Sequence, residues 1–283
     1  MDPINSMDIV LPPLSLSMPL SEYGIRIPPL VAHRGYVGKY PENTLLSLHQ
    51  ALLHGARFVE FDIQFCSDGT PVLFHDAELE RTTGQSGLIT DFTVSQVRRF
   101  QACERRRFGR RFVNTGVSVP TLRDAVYLLK NFPYAQAFVE IKNESMEKFG
   151  IERVVKNTVR DLGPGLDQCI VISYNSLAIR TARAMGAKQI GWVIDQWDND
   201  ARSIATGLAP DYLFLNYHKI PKTLDVLWPG PWKWVLYDIN DPELAIYLTF
   251  IGADLIETSQ IGTMLQHPLL RKEGWFAETT RAA

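Results

Sequence analysis

The sequence predicts an α/β protein that closes into a (β/α)₈ barrel of the TIM type, with a small insertion after a hairpin strand that follows strand 2. Three observations carry that prediction. Apolar, β-rich runs alternate with helically spaced runs along most of the chain, as in repeated βαβ units on a parallel sheet. The runs that read as strands end near His33, Asp62, Lys142, Ser173, Ile194, Leu215, Tyr237 and Glu257, which makes eight. Eight βα units in about 250 residues fit a closed barrel.

Taken in order, residues 1–27 read as an extended N-terminal extension, and 28–283 as the barrel domain. No Lys or Arg precedes Arg26, and Pro12, Pro13 and Pro19 interrupt the apolar stretch. The basic start and unbroken apolar centre of a secretory signal are therefore both missing. "PPLVAH" is strand 1, and "NTLLSLHQALLHG" is a helix closed by Gly55. "ARFVEFDIQF" is strand 2. "GTPVLFHD" follows it too soon for a parallel crossover, and Asp68-Gly69 is a hairpin signal. That strand should run back antiparallel and bring His75 to the level of Asp62.

Residues 76–119 lose the alternation and read as an insertion over the barrel mouth. Their basic run "ERRRFGRR" (104–111) reads as solvated surface, with attraction for phosphate or anionic lipid as the alternative. "PTLRDAVYLLKNF" is a helix, "AFVEIK" a strand, and "MEKFGIERVVKNTVRDLG" a single helix. Strand and helix then alternate to "ADLIE", with "IPKTLDVLW" in the helix position between "DYLFLN" and "KWVLYDI".

Composition narrows the function. The net charge of −2 does not suit a nucleic-acid binder. Cys66, Cys103 and Cys169 lie far apart, with neither a disulfide framework nor zinc spacing. A reducing, cytoplasmic location is the simpler expectation. No stretch approaches the roughly 20 apolar residues of a transmembrane segment.

In a barrel of this kind the C-terminal strand ends face the active-site mouth. Here they are charged. Glu60 and Asp62 share one face of strand 2, and Glu140 and Lys142 repeat the spacing on the next barrel strand. Three converging carboxylates would repel one another, and a divalent cation relieves that cost. All-oxygen ligation suits Mg²⁺ or Ca²⁺. A buried salt-bridge network among Glu60, Asp62, Glu140, Lys142 and Arg34 is the competing reading. His33 and His75 end strands beside the cluster, and imidazole can accept or donate a proton near neutral pH. Arg34 offers a forked cation for phosphate and Lys142 a compact one. Together these groups are equipment for cleaving a phosphodiester.

The segments "HRG" (33–35), "PENT" (41–44), "EFD" (60–62), "DGTPVLFHD" (68–76), "RTTGQSG" (81–87), "PTL" (120–122) and "EIK" (140–142) fall in a characteristic order and spacing. They resemble the glycerophosphodiester phosphodiesterase family over about residues 29–260. The resemblance implies metal-dependent hydrolysis of glycerophosphodiesters to glycerol 3-phosphate and an alcohol. It implies His33 and His75 as the general acid/base pair. It also implies Glu60, Asp62 and Glu140 as ligands of Mg²⁺ or Ca²⁺, and Arg34 and Lys142 as phosphate contacts. The glycerol hydroxyl beside the phosphate, or water, would be the nucleophile.

Late in the chain the pattern changes. Tyr237 and Asp238 stand where the family commonly has Trp and Thr, and Ser259 stands for an Asp. Tyr237 and Asp238 are candidates for a pocket wall that accepts a cationic head group such as choline. Asn43 and Trp192 are further candidates for the pocket wall, and Asn43 also fits a role in fixing the loop under His33. Glu42 reads as a capping residue, and Asp76 as a partner that orients His75. Two other functions compete with the hydrolase. A lysophospholipase D would act on lysophospholipid and would need apolar residues at the mouth. A non-catalytic phosphodiester-binding module is disfavoured by retention of both histidines and all three carboxylates.

Overall fold

Nine strands appear in the structure, a computed structural model that describes residues 26–271. Most of the extension expected at 1–27 lies outside the described residues. The strands are β1 (Leu30–Ala32), β2 (Phe58–Phe65), β3 (Pro71–Leu73), β4 (Gln136–Ile141), β5 (Cys169–Ser173), β6 (Ile190–Ile194), β7 (Tyr212–Asn216), β8 (Lys233–Tyr237) and β9 (Leu255–Thr258). All except β3 pair in parallel, from β1 through β2 and β4 to β9, and β9 pairs back with β1 to close the barrel. The eight barrel strands stop within a few residues of the ends marked in the sequence.

β2 has two successive neighbours on one edge. Phe58 and Val59 pair with β1, which is only three residues long. Ile63, Gln64 and Phe65 pair antiparallel with β3. β3 therefore occupies the edge that β1 leaves open, so the backbone groups of β2 stay bonded along its length. The reversal uses Gly69 at φ 79°, a left-handed conformation that glycine adopts without steric cost.

Strand side chains alternate between two environments. Val31, Phe138, Ile170, Tyr212, Phe214 and Val235 fill the barrel interior. Phe138 meets Tyr212 and Phe214 edge-on at centroid distances of 5.0 Å. Ala32, Val59, Phe61, Val139 and Val171 face outward into the larger core beneath the helices. The apolar interior forms a floor, and the inward residues two positions later stand above it. Glu60 follows Phe58, Glu140 follows Phe138, Tyr237 follows Val235 and Glu257 follows Leu255. The alternation thus delivers charged side chains to the C-terminal rim.

Helices are set by local signals. Thr44 caps Leu45–Leu53 by accepting from the Ser47 amide at 3.1 Å. Thr121 and Asp124 form a reciprocal capping box on Leu122–Leu129. Two expectations need correction. The single helix expected over residues 146–163 is two, Asn143–Phe149 and Ile151–Leu162, broken at Gly150 with φ 83°. "IPKTLDVLW" forms no helix: beyond a short 3₁₀ turn at Tyr217–Lys219, β7 connects to β8 through turns and loop. Pro221 and Pro229 each remove a backbone donor there. Aromatic packing holds the segment instead, with Trp228 stacked on Trp197 at 3.9 Å and its carbonyl accepting from Trp234 Nε1 at 2.9 Å.

Residues 76–119 carry only short elements: Glu80–Thr83, a 3₁₀ turn at Ile89–Asp91, Val94–Val97 and Arg105–Phe108. They enclose a separate apolar cluster in which Leu79, Ile89, Val97 and Ala102 pack on Val72 and Phe74. In the basic run, Arg105, Arg106 and Arg110 are exposed, while Glu104 is buried and Arg107 donates to the Val37 carbonyl. Among the described residues, no helix is long and apolar enough to cross a membrane. The three cysteines are buried free thiols.

Candidate active site

A cavity of about 120 Å³ opens at the C-terminal rim of the barrel. His33, Arg34, Glu60, His75, Glu140 and Lys142 all line it. These residues come from three barrel strand ends and from the hairpin strand β3. Asp62 lies directly behind them, in register with Glu140 across the β2–β4 pair.

The loop after β1 is shaped so that its side chains meet the acids. Arg34 adopts φ 51° and Gly35 φ 84°. A Cβ on Gly35 would stand 2.0 Å from the Ser47 hydroxyl, so the turn also needs glycine for space. This turn aims the Arg34 amide at Glu60 Oε2, at 2.9 Å. Its guanidinium then reaches Asp62 Oδ2 through Nε and Glu42 Oε1 through a terminal nitrogen, both at 3.0 Å. Asn43, also left-handed at φ 53°, braces Asp62 from behind. Its Nδ2 donates to Asp62 Oδ2 at 2.9 Å, and its Oδ1 accepts from the Asp62 amide at 3.1 Å. Asn43 is therefore a buried support for Asp62 and not part of the 120 Å³ cavity wall.

Lys142 bridges the two strands, with Nζ 2.8 Å from Glu140 Oε1 and 3.4 Å from Asp62 Oδ1. Burial opposes its charge, yet the two carboxylates hold its pKa above the ordinary lysine value. Burial would raise the Asp62 carboxyl, but Arg34 and Lys142 overcome this and keep it ionised. Glu60 goes the other way. Burial first, then Asp62, Glu257 and Glu140, push it well above the usual carboxylate range.

His75 reaches the cavity from outside the cylinder. The Phe74 amide donates to the Asp62 carbonyl at 3.0 Å, which fixes the level of the chain. Buried Gln64 donates to the His75 carbonyl at 3.2 Å. The ring's Nδ1 is 2.6 Å from Asp76 Oδ1. Burial would raise Asp76, but hydrogen bonds from His75 and Arg81 hold it below its ordinary value, so it acts as the acceptor. Nδ1 then carries a proton and donates to Asp76, which fixes the ring with Nε2 as the nitrogen turned away from Asp76. His33 is held neutral: burial, then Arg34, lower its pKa to about 3.

Arg81 ties these parts together. It donates to Asp76 through Nε at 2.6 Å and a terminal nitrogen at 3.0 Å. It donates to both oxygens of Glu42, at 2.7 and 2.8 Å. Glu42 in turn binds Arg34, and its amide donates to Glu104 at 2.6 Å. Glu42 is thus a buried charge hub, whereas Thr44 does the capping. Arg81, Glu104 and the hub role of Glu42 arise from contacts distant in sequence and carry no local signal.

Tyr237 and Asp238 line the opposite side of the cavity with Tyr174. The two phenols are 2.8 Å apart, and Asp238, at φ 69°, accepts from Asn216 at 2.6 Å. Trp192 is elsewhere. Its neighbour Val193 faces inward, so Trp192 points outward into the helix-facing core and donates to the Tyr174 carbonyl at 2.9 Å. Glu257, like Tyr174, is a cavity residue that sequence reading missed. It ends β9 in the cavity, with Oε1 3.7 Å from His33 Nε2. The signal was the closing acid of "ADLIE", in the same strand-end position as the other acids.

Oxygens of Glu60, Asp62 and Glu140 lie within 4.8 Å of one another. Glu60 Oε1 is buried and has no hydrogen-bond partner among the described residues. A buried, unpartnered carboxylate oxygen facing two other acids is costly alone and fits a hard divalent cation.

Known proteins resemble this chain in sequence and in fold. Residues 33–190, more than half of the chain, match the model of the glycerophosphoryl diester phosphodiesterase family. A glycerophosphodiester phosphodiesterase from Bacillus altitudinis is 34% identical over 131 residues, covering 46% of this chain and 51% of that protein. Glycerophosphodiester phosphodiesterase 1 of Rattus norvegicus is 46% identical over 96 residues, covering 34% and 28%. The chain thus spans about half or less of the length of these relatives. A glycerophosphodiester phosphodiesterase from Caldanaerobacter subterraneus subsp. tengcongensis is 27% identical over 251 residues, covering 87% and 98%. A phosphodiesterase from Oleispira antarctica, solved with the product sn-glycerol-3-phosphate, superposes with a TM-score of 0.71 at 25% identity over 87% of this chain and 98% of that one. The strand ends that build the cavity from His33 to Glu140 all fall within the matched stretch, and by that match the chain belongs to the glycerophosphoryl diester phosphodiesterase family.

Proposed function

We propose that this site hydrolyses glycerophosphodiesters to glycerol 3-phosphate and an alcohol, using His33 and His75 as the proton carriers. The observation that carries this reading is the convergence of both imidazoles, two cations and the acidic cluster on one cavity at the barrel rim. Residues 28–283 are read as one catalytic domain, with 76–119 inserted over the mouth. The bound product of the Oleispira antarctica protein supports glycerol 3-phosphate as the product here.

Glu60, Asp62 and Glu140 would hold Mg²⁺ or Ca²⁺, which supplies charge neutralisation at the phosphoryl oxygens. Arg34 and Lys142 add fixed positive charge on the same side, in a mouth where water competes weakly. Neutral His33 is suited to take a proton from the attacking hydroxyl, whether the substrate's own glycerol hydroxyl or water. To act as the acid, His75 carries a proton on each ring nitrogen: Nδ1–H donates to Asp76 and Nε2–H is given up to the leaving alcohol. The rim residues Tyr174, Tyr237 and Asp238 are polar or aromatic, which favours a small, polar alcohol over an acyl chain as the leaving group's neighbour. Lysophospholipids belong in the same substrate panel as the comparison.

The test is release of glycerol 3-phosphate from glycerophosphocholine by the full chain, with and without chelator. Wild type should turn over with metal and lose activity with chelator. His75→Ala should lose about 10²–10⁴-fold in kcat. Full activity in chelator, or an active His75→Ala protein, would overturn the reading.

A further inference from the structure

Two sets of metal-competent atoms meet at Glu60. One is the all-oxygen set of Glu60, Asp62 and Glu140. The other is His33, Glu60 and Glu257, whose ligand atoms also lie within 4.8 Å of one another. We propose that this second set is a separate cation site, selective for a transition metal such as Zn²⁺ or Mn²⁺, and that filling it inhibits the enzyme by occupying His33. The inhibitory part rests on the reading of His33 as a proton carrier.

Glu257 is buried at the end of β9, and its ion-pair partner among the described residues is His33. The separation of 3.7 Å from Nε2 to Oε1 is too long for a hydrogen bond. It stands just beyond the roughly 3.0–3.6 Å that separates adjacent ligand atoms on one ion with metal–ligand bonds of about 2.0–2.2 Å, so a small side-chain adjustment would bring both onto one ion. Glu257 lines the same cavity as His33 and Glu60, and nothing in the hydrolysis assigned above uses it.

Glu60 supplies the independent observation. Its Oε2 is taken by the Arg34 amide, but Oε1 is buried and unpartnered, and Glu60 belongs to both sets. A carboxylate oxygen can bridge two ions a few ångströms apart.

The donor types separate the two sites. Three carboxylates suit hard Mg²⁺ or Ca²⁺, whereas an imidazole with two carboxylates suits Zn²⁺ or Mn²⁺. All three residues line the cavity, so an ion can enter from the mouth. An ion on Nε2 would remove the lone pair that His33 needs to accept a proton.

The experiment uses the full chain. Equilibrium dialysis against Zn²⁺ in excess Mg²⁺ counts both ions in wild type, Glu257→Gln and His33→Asn. Mn²⁺ electron paramagnetic resonance reports whether two ions are coupled. Wild type should bind one Mg²⁺ and one Zn²⁺, and with Mn²⁺ alone should give a coupled-pair spectrum. Both variants should lose the Zn²⁺ and give a single-ion spectrum. Added Zn²⁺ should lower wild-type turnover at least tenfold, and Glu257→Gln should need at least tenfold more for the same inhibition. One ion in wild type, unchanged by Glu257→Gln, would overturn this proposal and leave the single-metal reading standing. No bound ion of any kind would overturn that reading as well.

Discussion

Arg81 offers the sharpest test of how the active site is held. It joins Asp76, the partner of His75, to Glu42, the partner of Arg34, through four charge-assisted hydrogen bonds of 2.6–3.0 Å. Arg81→Met keeps most of the side chain's bulk and removes all four. The two halves differ in weight. Asp76 is about a quarter exposed, so water replaces much of its lost pairing, which costs no more than about 1 kcal/mol. Glu42 is 7% exposed and would keep only Arg34 against a buried charge, which costs about 2–3 kcal/mol. The sum, roughly 3–4 kcal/mol, should lower the melting temperature by about 6–14 °C. His75 keeps Asp76 but loses the clamp that orients it, so kcat should fall about 10–100-fold while KM moves little. Arg81→Lys should rescue poorly, because an ammonium cannot serve two carboxylates with paired, planar bonds. Thermal melts and steady-state hydrolysis of glycerophosphocholine measure both effects. A melting temperature within about 1 °C of wild type together with unchanged kcat would show that the clamp holds nothing.

Three further outcomes follow from other contacts. Asn43→Ala removes both hydrogen bonds to Asp62 and places alanine at φ 53°, and should cost about 3 kcal/mol in denaturant unfolding. A cost below about 1 kcal/mol would contradict a load on that pair. Asp76 has a folded pKa below its unfolded value, so its stabilising contribution is complete above about pH 4 and is lost as pH falls through the folded value. Denaturation midpoints measured from pH 5 to 2 should therefore fall less steeply for Asp76→Asn than for wild type, and parallel curves would refute the assignment. Asp238→Thr should lower the preference for choline over glycerol diesters about fivefold, by removing one rim carboxylate beside Tyr237. An unchanged kcat/KM ratio would remove Asp238 from head-group selection.

Much of the scaffold was legible because strand alternation and hairpin arithmetic are local. Phe58, Glu60 and Asp62 share a face wherever β2 lies, and Asp68-Gly69 leaves β3 no route except back along β2. The same local logic fails where phase or distant contacts decide. Trp192 and Val193 are both apolar, and only the packed barrel shows that Val193 takes the interior. Glu257 stands alone on its strand, without the second acid at i+2 that made Glu60 and Asp62 conspicuous. Glu42 sits in a helix-start motif, and its link to Arg81 spans 39 residues that no spacing rule connects. The break at Gly150 was visible as a glycine but was outweighed by apolar periodicity on both sides. The loop at 220–232 had the length and hydrophobicity of a helix, and its prolines and stacked tryptophans outweighed both.

The seating of β3 against the upper half of β2 has an architectural consequence. One imidazole is rooted in the cylinder itself, whereas the other is mounted on an appendage whose apolar cluster is its own. The appendage meets the barrel along a short seam at β3, through a ring of alternating charges, and through side contacts such as Arg107 on the Val37 carbonyl and Phe112 against Tyr40. Its outer turns are therefore open to exchange by grafting or drift, so long as the seam and the ring survive, and the approach to the reaction centre can be resculpted without redrawing the barrel.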